Sequence, residues 1–258
     1  MRTFLTAFAL LFAVNCPAAA QGRTEDVRVR PPESWPKREV YGLDIKLGGS
    51  YMRGNVENRG ISGGLDFNTT FSERHQLFVQ ASKDYAEYGD SVAVDKDKGS
   101  FMYAYKLRER VNIFFTSTHA HNKALTLKYR TANGAGVCYH NFWPGVLEPV
   151  LVSFAVTPEY ETFKDGTKNS RVRGDLRFNF KYEATKHLSV GADLIYMPGF
   201  SDLSDYRMFG EAYFQFKITD RNLDFRVNLT DEYESKPRPG VKCNDFIAGY
   251  ALVLKLGR

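Results

Sequence analysis

The chain has 258 residues, 43% of them hydrophobic and 25% charged, with a formal net charge of +5. That charge is small and spread along the chain, which argues against a nucleic-acid surface. Beyond the N-terminal segment no run approaches the ~18 consecutive apolar residues of a membrane helix, so any passage through a bilayer must use strands.

Residues 1–20 read as a signal peptide. Arg2 supplies the positive start, Phe4 to Val14 the apolar stretch and Ala18-Ala19-Ala20 the small-residue site, with cleavage expected between Ala20 and Gln21. Its removal lowers the net charge to +4. Residues 21–39 carry Pro31-Pro32, Pro36 and mixed charges, with Trp35 the one large apolar side chain, and so read as a flexible periplasmic leader.

From Tyr41 to Leu256 apolar and polar residues alternate, as in Asp224-Phe225-Arg226-Val227-Asn228-Leu229-Thr230. A period of two places one kind of residue on each face of a strand. Strands are expected at 40–52, 57–71, 74–87, 98–108, 110–121, 126–142, 150–163, 169–183, 187–197, 205–218, 221–234 and 242–256. Twelve is an even number, as bacterial barrels with both termini on one side require. Phe, Tyr and Leu dominate one face, while Arg, Lys, Asp and Glu recur on the other. Behind an export signal, this predicts an all-β fold: a transmembrane antiparallel β-barrel over 40–258, in the outer membrane, lipid outside and polar within.

Most links after the even-numbered strands are short, for example Ser72-Glu73 and Thr219-Asp220; Trp143 to Pro149 is the exception. Longer, turn-rich links are expected at Tyr88 to Asp97, Pro198 to Ser204 and Ser235 to Val241. That asymmetry places the short turns and both termini in the periplasm. The same topology sets Cys138 and Cys243 near opposite ends, as two free thiols.

The alternation sends Lys128, Arg130, Arg171, Arg173, Arg177, Lys181, Arg207, Lys217 and Arg226 into the lumen, together with Glu159, Glu161, Asp175 and Glu211. Asp44, Asp66, Asp193 and Asp224 share that face. A hairpin centred on Gly166 would set Glu161 opposite Arg171 and Glu159 opposite Arg173. Such a lining supports two readings: a selectivity surface for small solutes, with a lean toward anions, or opposite charges pairing across strands to fill the lumen. The opposite face carries Tyr41, Phe67, Tyr103, Phe154, Tyr196, Phe214 and Tyr233, aromatic residues suited to girdles at the two lipid interfaces.

His119 and His121 share a strand face with Ser117, but a metal site needs three or four ligands and spacing supplies no others, so no metal is expected. An outer-membrane lipid hydrolase is the alternative from another class. It would need a lipid-facing Ser and His, and no activated-serine motif is present.

Tyr51-Met52-Arg53-Gly54-Asn55, Asn133-Gly134-Ala135-Gly136-Val137-Cys138-Tyr139, Glu161-Thr162-Phe163-Lys164-Asp165-Gly166-Thr167, Pro198 to Arg207 and Tyr233 to Gly240 occur in order along the chain. They resemble segments of the salt-induced outer-membrane proteins, the domain-of-unknown-function family four-eight-one. The resemblance runs from about 41 to 256. It implies a barrel in the outer membrane and brings no activity or cofactor. It also implies a terminal aromatic, where this chain has Leu256. The expectation is therefore a non-enzymatic outer-membrane barrel without a cofactor, either a structural or envelope-stress component with a filled polar lumen or a narrow channel. Its expected partners are outer-membrane lipid and, during biogenesis, the barrel-assembly machinery. Nothing in the sequence fixes an oligomeric state.

Overall fold

The computed structural model describes residues 40–53, 58–88, 91–123, 125–140, 150–219 and 222–256. The expected signal peptide and leader lie outside them. Twelve strands form a closed antiparallel barrel: β1 (Val40–Arg53), β2 (Asn58–Ser72), β3 (His75–Tyr88), β4 (Ser91–Arg108), β5 (Val111–Asn122), β6 (Leu127–His140), β7 (Val150–Phe163), β8 (Lys168–Glu183), β9 (Leu188–Gly199), β10 (Asp202–Lys217), β11 (Leu223–Glu234) and β12 (Asn244–Leu256). Each strand pairs with its sequence neighbours, and β1 closes on β12 from Leu43↔Leu256 to Arg53↔Phe246. Closure leaves no edge with unpaired backbone groups, the condition for strands to cross a bilayer.

The period of two becomes an inside and an outside. On β7, Ser153, Ala155, Thr157, Glu159 and Glu161 are buried, while Phe154, Val156 and Tyr160 between them are exposed. The exterior is therefore apolar, with Leu47, Ile61, Leu65, Leu176, Phe214 and Leu252 among its exposed side chains. Aromatic clusters mark both rims of this band. At the end where β1 begins and β12 finishes, Phe71, Tyr103 and Tyr105 surround His75 with ring centroids 5.2–5.9 Å away. At the far end Tyr206 lies 5.6 Å from Tyr196 and 5.7 Å from Tyr233. On β10, Tyr206 and Phe216 mark the two levels, about 33 Å apart along the strand at ~3.3 Å per residue. A strand tilt of ~40° reduces that to about 25 Å along the barrel axis, the height of a membrane barrel's apolar band.

Two expected long loops are instead ladder. β4 begins at Ser91, so the segment expected to link it to β3 continues the hairpin through pairs such as Asp84↔Lys96 and Ala86↔Val94. β9 and β10 run on to Gly199↔Asp202, with a register shift between Asp202 and Tyr206. Turn-rich composition signalled loops there, but ladder hydrogen bonds overrode it. Of the links at the far end, the longest among the described residues runs from Ser235 to Cys243. Cys138 is a buried free thiol near the end where β1 begins and β12 finishes. Cys243 is buried at the far end, so the two cysteines stand near opposite ends as expected, and a free thiol is shown for Cys138.

Candidate functional site

The inward face of β6–β11 begins with the β7–β8 turn. Phe163 accepts a hydrogen bond from Gly166 N at 3.1 Å, and Phe163 N donates to Thr167 O at 2.9 Å. Gly166 takes φ 85°, so it ends a three-residue loop centred on Asp165. That shifts the expected register by two, to Glu159↔Arg171 and Glu161↔Asn169. A slip of two preserves which face each residue occupies. It changes the partners, not the lining.

The charged side chains of this wall meet in one network. Arg207 Nη1 donates to both carboxylate oxygens of Glu159 at 3.1 and 3.0 Å, Nη2 to Glu161 at 3.0 Å and Nε to Glu234 at 3.2 Å. Arg130 Nε donates to Glu161 at 2.8 Å. Arg173, with no exposed surface, donates to Asp205 Oδ1 at 3.1 Å and to the carbonyls of Met197 and Asp205 at 3.2 Å. Arg171 reaches the other oxygen of Asp205 at 2.8 Å. Four guanidinium groups thus face four carboxylates, from β6, β7, β8, β10 and β11. Charge-assisted forks of this kind are strong and geometrically exacting. The set is neutral, so it supplies no ring of uncompensated charge for selecting ions, and the lean toward anions has no basis in it.

Below this level Arg177 Nε donates to Asp193 at 2.7 Å, and Thr157 donates to Asp175 at 2.6 Å. Arg226 pairs with Glu211 and stacks 4.0 Å over the ring of Tyr213. Gly191 makes room for that ring, because a Cβ there would stand 2.3 Å from it. Ile195, Met197 and Phe209 pack as an apolar cluster between the two levels. Side chains occupy the lumen along this wall.

The wall formed by β1–β4 differs. Lys46 pairs with Asp66, both side chains about a quarter to a third exposed (30% and 25%). Gly64 and Ser82 keep the lining short, and a cavity of about 230 Å³ opens beside Lys46, Asp66, Gln80, Ser82, Asp84 and Lys98. Its lining side chains are mostly polar or charged, and it has room for several waters at ~30 Å³ each.

Two other constellations face outward. Asp95, Asp97 and His121 present ligand atoms within 4.8 Å of one another. Lys83 Nζ sits 2.8 Å from each carboxylate, in the position a cation would take, so this group is a satisfied ion cluster. Ser117 Oγ lies 3.1 Å from His119 Nε2, and His119 Nδ1 lies 2.5 Å from the Tyr129 hydroxyl. The single hydroxyl proton of Ser117 goes to Asn133 Oδ1 at 2.7 Å. His119 Nε2 is then the donor toward Ser117, the reverse of the arrangement a general base needs.

Arg130, Glu159, Glu161, Arg173, Asp175, Arg177, Arg207 and Glu211 are buried, while Arg171, Lys181 and Arg226 are half-buried. Lys128 and Lys217 are exposed; for Lys128 this departs from the expected lumen facing, whereas Lys217 keeps the parity of its buried ladder partner Asp224 and opens to solvent at the rim. Lys128 falls at a register irregularity between Leu127 and Tyr129 that breaks the alternation, and Lys217 ends β10 near the rim. Asp205, Glu234 and Lys46 belong to the lining although the sequence reading passed over them. Asp205 was legible: it stands two residues before Arg207, on the same face.

Among solved structures, the NanC porin matches 80% of this chain and 98% of its own, with a TM-score of 0.52 and 8% identity. The KdgM porin matches 82% and 98%, with a TM-score of 0.49 and 14% identity. An anion-selective porin from Comamonas acidovorans matches 85% and 99%, with a TM-score of 0.44 and 7% identity. At such identities the likeness is one of fold. No curated protein matches the sequence. The model of a family described as "Protein of unknown function, DUF481" matches residues 45–255, most of the chain, and the chain belongs to that family.

Proposed function

We propose that this protein is an integral outer-membrane barrel with a largely filled lumen, a structural or envelope-stress component and not an open diffusion pore. Export by a cleaved signal, assembly by the barrel-assembly machinery and periplasmic termini belong to the same reading. The observation that carries it is the burial of Arg173, Arg207, Glu159 and Glu161 in one neutral hydrogen-bonded network. Guanidinium groups bound to two or more carboxylates cannot swing aside without leaving a buried charge unpaired, which costs about 3–5 kcal/mol. Passage past this wall is therefore closed to anything larger than water or a small ion, and any such path runs through the β1–β4 cavity.

Reconstitution in planar bilayers tests the reading. The expected record is a quiet membrane or rare, small steps. Steady porin-like conductance from the wild-type protein would overturn it.

A further inference from the structure

The link between β11 and β12, Ser235 to Cys243, folds across the far mouth of the barrel. Arg238 carries most of the contact. Its guanidinium pairs with Asp165 at 2.5 Å, donates to the Thr126 hydroxyl at 3.2 Å and stacks 3.9 Å over the ring of Phe163. Three residues on, Val241 packs on the cluster of Leu125, Leu127 and Phe163. Thr126 joins β5 to β6 and Asp165 joins β7 to β8. β6 stands opposite β12 in the ring of twelve, so the link spans the mouth instead of hugging its own rim. Its base is tied separately: Ser235 Oγ donates to Ser204 O at 2.7 Å and accepts from Tyr206 N at 2.8 Å. Beneath it lies a cavity of about 40 Å³, bordered by Arg130, Glu161, Asn169 and Arg207.

We propose that residues 235–243 form a lid, hinged at Ser235, that shuts the far mouth over the buried ion network and is latched by Arg238. This deepens the filled-lumen reading: the lid keeps bulk water from the upper surface of the Arg207–Glu161–Arg130 group, where solvation would loosen the pairs. The latch differs in kind from the network below. Arg238 and Asp165 are partly exposed, with side-chain exposures of 31% and 53%, so salt screens their attraction. The network is buried and escapes that screening. Asp165 is held down to about 2, chiefly by the Thr167 backbone N–H and then by Arg238, so the latch stays ionised over the ordinary pH range and responds to salt, not to pH. Pro237 and Pro239 on either side of Arg238 limit the backbone freedom of the strap and favour movement as a unit.

The test places a reporter thiol under the lid, Asn169→Cys, in the full barrel carrying Cys138→Ser and Cys243→Ser and folded into lipid vesicles or detergent, and follows its reaction with a neutral water-soluble maleimide. A neutral reagent keeps salt from altering its approach. With the lid intact the reaction is slow and speeds up several-fold between low and high salt. Adding Arg238→Ala raises the low-salt rate by roughly ten-fold, as expected for losing an exposed ion pair and a cation–π contact together, and removes most of the salt response, the remainder belonging to the exposed Lys236–Asp202 pair at the base of the strap. Asp165→Asn does the same more weakly, because the stacking on Phe163 remains. Heat-modifiable gel migration confirms that each variant is folded. Equal rates with and without Arg238, or a salt response undiminished by its removal, would overturn the lid. Since the readout is accessibility and not current, a conducting wild-type barrel would count against the filled lumen without touching this result.

Discussion

The two walls of the lumen use similar residues to opposite ends. On β6–β11 the basic groups are mostly arginines shared between carboxylates on different strands, as Arg207 joins Glu159, Glu161 and Glu234. On β1–β4 a lysine, Lys46, makes a single pair with Asp66 on the neighbouring strand, beside Gly64 and Ser82 and an open cavity. A planar guanidinium can satisfy several acceptors in fixed directions, whereas an ammonium is a point charge on a flexible stem. The contrast teaches that alternation decides whether a residue faces the lumen. The identity and size of the basic group decide whether the lumen there is solid or wet.

The largest effect expected is on the solid wall. Arg207→Gln leaves Glu161 to Arg130 alone and Glu159 to Arg173 alone, with both carboxylates almost fully buried, and should cost about 3–5 kcal/mol in a urea titration of the barrel in lipid vesicles. A loss below ~1 kcal/mol would mean that water reaches the pair as freely as at a surface.

Next in size is a change that ignores the walls and tests the outside. Phe214→Arg on the lipid face should cost about 2–4 kcal/mol near the bilayer midplane. If folding titrations show it as harmless as a charge placed at the cavity residue Ser82, the apolar exterior does not face lipid.

A matched pair of glycines then compares the walls directly. Gly191→Ala drives a methyl against the Tyr213 ring, which Arg226 pins from the other side, and overpacking of this kind costs about 1–3 kcal/mol. Gly64→Ala meets nothing nearer than 3.6 Å. Losing backbone freedom in the unfolded chain should leave it neutral or about 0.5 kcal/mol more stable. Equal melting shifts for the two would erase the distinction between packed and open sides.

The smallest effect belongs to Lys46→Gln, which removes a part-exposed pair and should change stability by less than about 1 kcal/mol. High salt should diminish even that, so a salt-independent loss would place Lys46 in a drier setting than its exposure indicates.

Much of this was legible because the decisive signal is local. Alternation fixed the strand count and the facing of Phe154 against Glu159 and Glu161, since a period of two depends only on neighbouring residues. It misplaces Lys128, where one extra residue interrupts the ladder, and it loses the upper part of β4, where Ser91 to Asp97 read as loop chemistry. The expected β7–β8 register is off by two because Asp165, not Gly166, is the centre of the turn. In a three-residue loop the left-handed position comes last, and only the closing pair Phe163–Thr167 reveals it.

What the sequence by itself determined is the class of fold and the two faces, because each follows from residue spacing along one strand. What the tertiary structure alone decided is who meets whom across the lumen. Arg207 reaches Glu159 across 48 residues and Arg238 reaches Thr126 across 112. Neither contact lies in any ladder. Both depend on how closure curves the sheet and brings strands that never pair to within a side chain's length of each other.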